Sequence, residues 1–161
     1  MSEPGESRYR VEKRRADAEL TLTTGTRVKG CFFLWTSSQS GSGPERVGDL
    51  LNEQAGFFPF ELEDGRTALY NRAQIVSVRL PVHAKEVELE AGYAVATRRP
   101  VSMLLSNGDR VDGVVAVQRP VGHDRLSDYA RMVEAFRYVQ TATDTLIVNS
   151  AHLVELRETR D

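Results

Sequence analysis

Polar and apolar positions alternate along Glu19-Leu20-Thr21-Leu22-Thr23, the period of a strand with one buried face. Thr24-Gly25 then supplies a turn, and a returning strand is predicted over residues 27–35. The same succession recurs at Met103-Leu-Leu-Ser106, where Asn107-Gly108, a strong short hairpin signal, leads into a return over residues 110–118. Gly30 and Gly113 fall inside the returning strands, where glycine marks a bend or bulge of a curled sheet. Third strands are predicted over 57–62 and 136–140, and a last strand or bent pair over 67–80 and 145–157. Between second and third strands the periodicity changes. A Ser- and Gly-rich loop at 36–44 leads into a helix over 45–54, with Val47, Leu50 and Leu51 on one face. A shorter loop at 119–124 leads into a helix over 125–135 carrying Leu126, Tyr129, Met132 and Val133.

This recurrence is a repeat in the residues themselves. Leu20-Thr-Leu-Thr-Thr-Gly25-Thr-Arg-Val-Lys-Gly30 aligns with Met103-Leu-Leu-Ser-Asn-Gly108-Asp-Arg-Val-Asp-Gly113. Tyr9, Val11, Arg14 and Arg15 align with Tyr93, Val95, Arg98 and Arg99, and Arg46-Val-Gly-Asp49 with Arg125-Leu-Ser-Asp128. Phe57 falls on Phe136, and Leu69-Tyr-Asn71-Arg-Ala73 on Ile147-Val-Asn149-Ser-Ala151. Four blocks in one order predict two copies of a unit, residues 7–80 and 91–158, joined by residues 81–90.

Each copy resembles the Sm-like fold, the small curled barrel of the Sm, LSm and Hfq proteins. The resemblance lies in the hairpin Leu-x-x-Gly-x-Arg-Val-x-Gly at Leu22 and Leu105, and in the closing segment Leu69-Tyr-Asn-Arg-Ala-Gln-Ile-Val-Ser-Val78. It implies a mainly β protein of two tandem small barrels. It also implies RNA binding in an oligomeric ring. The inserted helices depart from the Sm pattern. Their Arg-x-x-Asp, combined with the Asn-x-Ala of the last strand, resembles a bacterial protein family.

Charge bears on that functional implication. The chain has 161 residues, with 21 Lys and Arg against 23 Asp and Glu and a formal net charge of −2. Neither half carries the basic excess of a protein that tracks phosphates. The one concentrated basic stretch is Arg8, Arg10, Lys13, Arg14 and Arg15, a candidate basic arm for nucleic acid. Tyr9 and Val11 alternate within it, which reads better as a strand with a charged face. No apolar run is long enough to span a membrane. With a polar start and a single cysteine, the expectation is a cytoplasmic protein without a disulfide.

Candidate chemistry is sparse. His83, His123 and His152 have no metal-ligand spacing, and no phosphate loop, nucleophile elbow or paired-acid motif occurs. The expectation is therefore no enzyme, no cofactor and no metal site. Cys31, within Cys31-Phe-Phe-Leu-Trp35, reads as a buried, inert thiol. Arg46 with Asp49, and Arg125 with Asp128, stand three apart and read as ion pairs holding each helix to its sheet, with a recognition site as the other reading. Asn71 and Asn149, at the closing strands, read as side chains bonded to backbone at a bend. Phe57, Phe58 and Phe60 in one copy, and Met132 and Phe136 in the other, are the expected contact surfaces. The functional expectation is a binding or scaffold protein acting through protein partners or as a homo-oligomer. An RNA- or DNA-binding regulator of Sm-like type is the alternative.

Overall fold

The computed structural model describes residues 13–36, 43–82, 84, 86, 96–117 and 134–159. The chain is mainly β. Strands β1 (Lys13–Leu22), β2 (Arg27–Trp35), β3 (Phe57–Leu62), β4 (Thr67–Asn71) and β5 (Ile75–Leu80) form the first half, with helix α1 (Val47–Glu53) between β2 and β3. Strands β6 (Thr97–Leu105), β7 (Arg110–Val117), β8 (Phe136–Gln140), β9 (Thr145–Asn149) and β10 (Leu153–Glu158) form the second half. Before the last strand of each half a 3₁₀ turn, Arg72–Gln74 or Ser150–His152, bends one strand into the next.

All ten strands join one antiparallel sheet in the order β10-β6-β7-β8-β9-β5-β1-β2-β3-β4. Read by halves, this is β5-β1-β2-β3-β4 beside β10-β6-β7-β8-β9, the same succession in each. Turn hydrogen bonds match as well. Gly25 N–H donates to the Leu22 carbonyl and Gly108 N–H to that of Leu105, both glycines having φ near +90°, which an L side chain resists. Thr23 N–H donates to the Gln74 carbonyl, and Ser106 N–H to that of His152. Inside the returning strands the two other glycines admit a neighbour's backbone. A Cβ on Gly30 would run into the Glu61 carbonyl, and one on Gly113 would lie 2.6 Å from the Gln140 oxygen.

The expectation of two tandem small barrels needs correction. β5 does not close onto its own β4; it pairs with β9 of the other half, from Ser77 opposite Val148 to Leu80 opposite Thr145. Pairing therefore runs on through the molecule, and among the described residues the sheet stays open at β4 and β10. Two apolar clusters fill it. One gathers Leu20, Phe32, Leu34, Phe58, Phe60 and the helix residues Val47, Leu50 and Leu51, together with Phe136 and Ile147 from the second half. The other gathers Met103, Leu105, Val115, Val139 and Val148, together with Val76 from the first half. Each half thus inserts side chains into the other's core.

Candidate functional site

The site with the most specific geometry is the junction between halves, and it begins with a short helix. Arg46 donates through Nε and Nη2 to the Asp49 carboxylate at 3.1 and 2.8 Å, and Asp49 also accepts the Arg46 backbone N–H at 3.0 Å. This closes the first turn of the helix. Further residues hold the helix on the second half. Asn52 donates to the Phe136 carbonyl and accepts the Phe136 N–H, both at 2.8 Å, pairing a side-chain amide with a strand's backbone. Gly48 N–H donates to the Tyr138 hydroxyl oxygen at 3.0 Å, an approach the missing side chain permits. The Arg46 guanidinium lies 5.5 Å from the centre of the Tyr138 ring.

Glu86 ties these pieces together. Its buried carboxylate accepts the Val47 N–H at 2.9 Å and the Tyr138 O–H at 2.8 Å, with Arg14 Nη2 3.7 Å away. Burial pushes the carboxyl up from its ordinary value, against the lowering effect of Val47 N–H, Tyr138 O–H, Arg14 and Arg46. Burial also raises the Tyr138 hydroxyl well above the usual tyrosine range, and the adjacent Glu86 charge adds to it. At the other end of α1, the buried Arg72 guanidinium donates to the carbonyls of Leu50 and Leu51 at 2.9 and 3.1 Å, acceptors the helix end leaves open, and to that of Phe57 in β3 at 2.9 Å. Desolvation there lowers its affinity for the proton.

The closing-strand asparagines are bent-strand caps. Asn71 Oδ1 accepts Ala73 N–H and Asn149 Oδ1 accepts Ala151 N–H, each at 3.0 Å. Asn149 does more. Its Nδ2 donates across the junction to the Ile75 carbonyl at 2.9 Å and the Arg72 carbonyl at 3.3 Å. His152 joins it, with Nε2 2.8 Å from the Ala73 carbonyl and Nδ1 2.9 Å from the Ser106 hydroxyl.

The open edges carry the counterparts of junction residues. Phe57 is 61% exposed and Leu69 66%, whereas Phe136 and Ile147, which match them, are 4% and 0% exposed. Val154 on β10 is 64% exposed, and the matching Val76 is fully buried. Among the described residues no strand pairs with the outer edge of β4 or of β10.

The expected contact surfaces are corrected accordingly. Phe58 and Phe60 lie in the core, Phe32 packing against them with ring centroids 5.5 and 5.0 Å apart. Phe136 is buried at the internal junction, so of the described members only Phe57 remains on the surface. Met132, Arg125 and Asp128 lie outside the described residues, as do Arg8, Arg10, His83 and His123. Of the basic stretch, Lys13 lies over the Trp35 ring at 4.3 Å, Arg14 donates to the Glu45 carbonyl, and Arg15 pairs with Glu61 at 3.0 Å. Cys31 is buried, and desolvation followed by the Glu61 charge raises its thiol. An open cleft of about 450 Å³ between the hairpin ends of the two halves is lined by Arg27, Arg79 and Arg110 with Asp109, Asp112 and Asp144. Arg79 is spent on Asp144 and Glu19, and Arg110 on Glu155. Among the described residues no group of three His, Cys, Asp or Glu could hold a metal ion, and no helix is long and apolar enough to cross a membrane.

Sequence reasoning missed Glu86, Tyr138, Asn52 and Arg72. For Tyr138, Asn52 and Arg72 the available signal was asymmetry between the repeats; Glu86 lies in the joining segment, outside both. Tyr138 stands where the first copy has Pro59, and Arg72 where the second has Ser150. A residue that breaks a repeat serves a place where the copies' surroundings differ. No family model, curated protein or solved structure matches the chain.

Proposed function

We propose that the chain is a non-enzymatic assembly module, built of two Sm-like units and acting through protein contacts along its two open sheet edges, self-association included. One observation carries the reading. The exposed Leu69 and Val154 sit on the two edge strands, whose outer sides pair with no strand among the described residues, and their counterparts Ile147 and Val76 are buried where the halves join. An edge strand with unpaired backbone groups and an apolar side chain recruits another strand, adding main-chain hydrogen bonds to apolar burial. The edges differ from each other, so pairing is heterologous and builds rings or open chains of molecules. Engagement of Lys13, Arg14 and Arg15 within the chain supports protein over nucleic acid as the partner, since each charge so used is less available to phosphate.

Light scattering on size-fractionated protein across a concentration series tests the reading, alongside recovery of partners from native lysate with and without nuclease. Expected are species larger than one chain, or a nuclease-resistant protein partner, both lost when Leu69→Lys and Val154→Lys are combined. A single-chain mass at every concentration with only nucleic acid recovered, and binding that falls steeply with salt, would replace this reading with the RNA- or DNA-binding one.

A further inference from the structure

We infer that the outer face carrying Phe57, Pro59 and Leu69 is a docking seat whose occupant is residues 125–135 of a second copy of this chain. The inference rests on the self-association reading above and names what that exposed face receives. Its template lies inside the molecule. Helix α1 leaves the first half between β2 and β3 and lies on the outer face of β8 and β9, where Phe136 and Ile147 join Val47, Leu50 and Leu51 in one apolar cluster. The matching face of the first half is bare. Cross-strand register places Phe57 opposite Asn71 and Pro59 opposite Leu69, as it places Phe136 opposite Asn149 and Tyr138 opposite Ile147.

The would-be occupant is equally matched. Arg125-Leu-Ser-Asp128-Tyr-Ala130 precedes β8 as Arg46-Val-Gly-Asp49-Leu-Leu51 precedes β3, with Leu126 at the position of Val47 and Tyr129 at that of Leu50. Among the described residues one such seat is filled and the other is exposed, and the repeat supplies residues 125–135 as the segment whose sequence matches the filled seat's occupant. The exposed seat and this segment belong to different halves, so the second half of one copy meets the first half of the next, at the junction where β10 would meet β4. The chemistry of the outer seat is simpler than that of the inner one. Pro59 has no hydroxyl to receive a helix N–H as Tyr138 does, and Arg131 replaces Asn52, whose amide pairs with the Phe136 backbone. What remains is apolar contact of Leu126 and Tyr129 with Phe57 and Leu69, which makes this seat the weaker and reversible one.

The test uses the full chain with photo-reactive benzoylphenylalanine in place of Phe57, an exposed position whose replacement leaves the core intact. Isotopically heavy and light chains are mixed and irradiated, and cross-linked peptides are mapped by mass. Expected are heavy–light cross-links from position 57 to peptides within 125–135. In a parallel cycle Phe57→Ser and Tyr129→Ser should each weaken association at least about tenfold, as loss of a buried interface anchor does, with little further loss in the double variant. If wild-type chains associate but position 57 links elsewhere or not at all, or the two serine variants associate normally, the seat is overturned while edge pairing stands. If wild-type chains remain single yet hold a nuclease-resistant partner, the second copy is the wrong occupant and the protein-contact reading survives. Single chains with neither property overturn both.

Discussion

The outer faces of β3–β4 and of β8–β9 are built alike and live differently. Both present an aromatic residue at the first strand's start and a branched aliphatic at the centre of the second. In β9 all five residues are buried; in β4 none is. The cause is position in the sheet. β9 has β5 on its far side and α1 above it, and β4 ends the sheet. Alternation along a strand therefore tells which side chains share a face, and the neighbour decides whether that face is inside.

The greatest effect should come from the buried member of a matched pair. Ile147→Ala removes a fully buried side chain shared between the halves and should cost about 2–5 kcal/mol of unfolding free energy. Leu69→Ala, its counterpart, should change the stability of the single chain by less than about 0.5 kcal/mol. Denaturant titration of both variants at low concentration checks the contrast, and equal losses would show that β4 is already covered.

Next comes the hydroxyl that only the second copy has. Tyr138→Phe keeps the ring, leaves the Gly48 N–H without its acceptor and takes from Glu86 one of its two hydrogen-bond donors. A cost of about 1–3 kcal/mol is expected, because the stranded N–H is no longer paired. Pro59→Ala, at the matching position of the bare face, should be near neutral in the same titration. If Tyr138→Phe is equally neutral, the helix is held by apolar packing alone.

Strands, turns and the α1 helix were legible because they rest on local signals. Leu20 and Leu22 alternate, Gly25 and Gly108 supply positive φ, and Val47, Leu50 and Leu51 share a helix face. The partner of β5 was not legible. Ile75–Leu80 can pair equally with its own β4 or with another unit's, and nothing local distinguishes the two. Glu86 was hidden for a related reason. It is one acid in a charged linker, and its burial depends on a helix and a tyrosine 39 and 52 residues away. Phe58 and Phe57 show the same limit within a dipeptide, one in the core and one outside, separated by the strand's period of two.

Glu86 gives a pH signature to the internal junction that the bare face lacks. Burial raises its folded-state value above the ordinary 4.5, so the folded chain keeps the proton to higher pH than the unfolded chain. Between those two values the folded state binds more protons, and stability falls as pH rises. The contribution is complete below 4.5 and lost once pH passes the folded value. Measured as melting temperature against pH, wild type should lose stability relative to Glu86→Gln from 4.5 upward and then run parallel to it. Parallel curves throughout would mean that the hydrogen bonds from Val47 and Tyr138 offset desolvation fully.

The smallest effect on the single chain should come from Val154, and that smallness is informative. Val76 and Val154 hold matching places in β5 and β10, each at a point where the pairing register slips by one residue. The slip leaves one side chain unmatched across the strands. Val76 sends it into the second half's core beside Val139 and Val148; Val154 sends it outward. Val154→Ser therefore removes little buried apolar surface, and its unfolding free energy should stay within about 0.5 kcal/mol of wild type. Val76→Ser places a hydroxyl in an apolar cluster and should be far more costly. Concentration separates stability from association. If β10 receives another chain's β4, Val154→Ser should lower the large species seen by light scattering while the melting curve at low concentration stays unchanged. A variant that associates as wild type does would show that β10 is no contact edge, and the resemblance between the two valines would then end at the backbone.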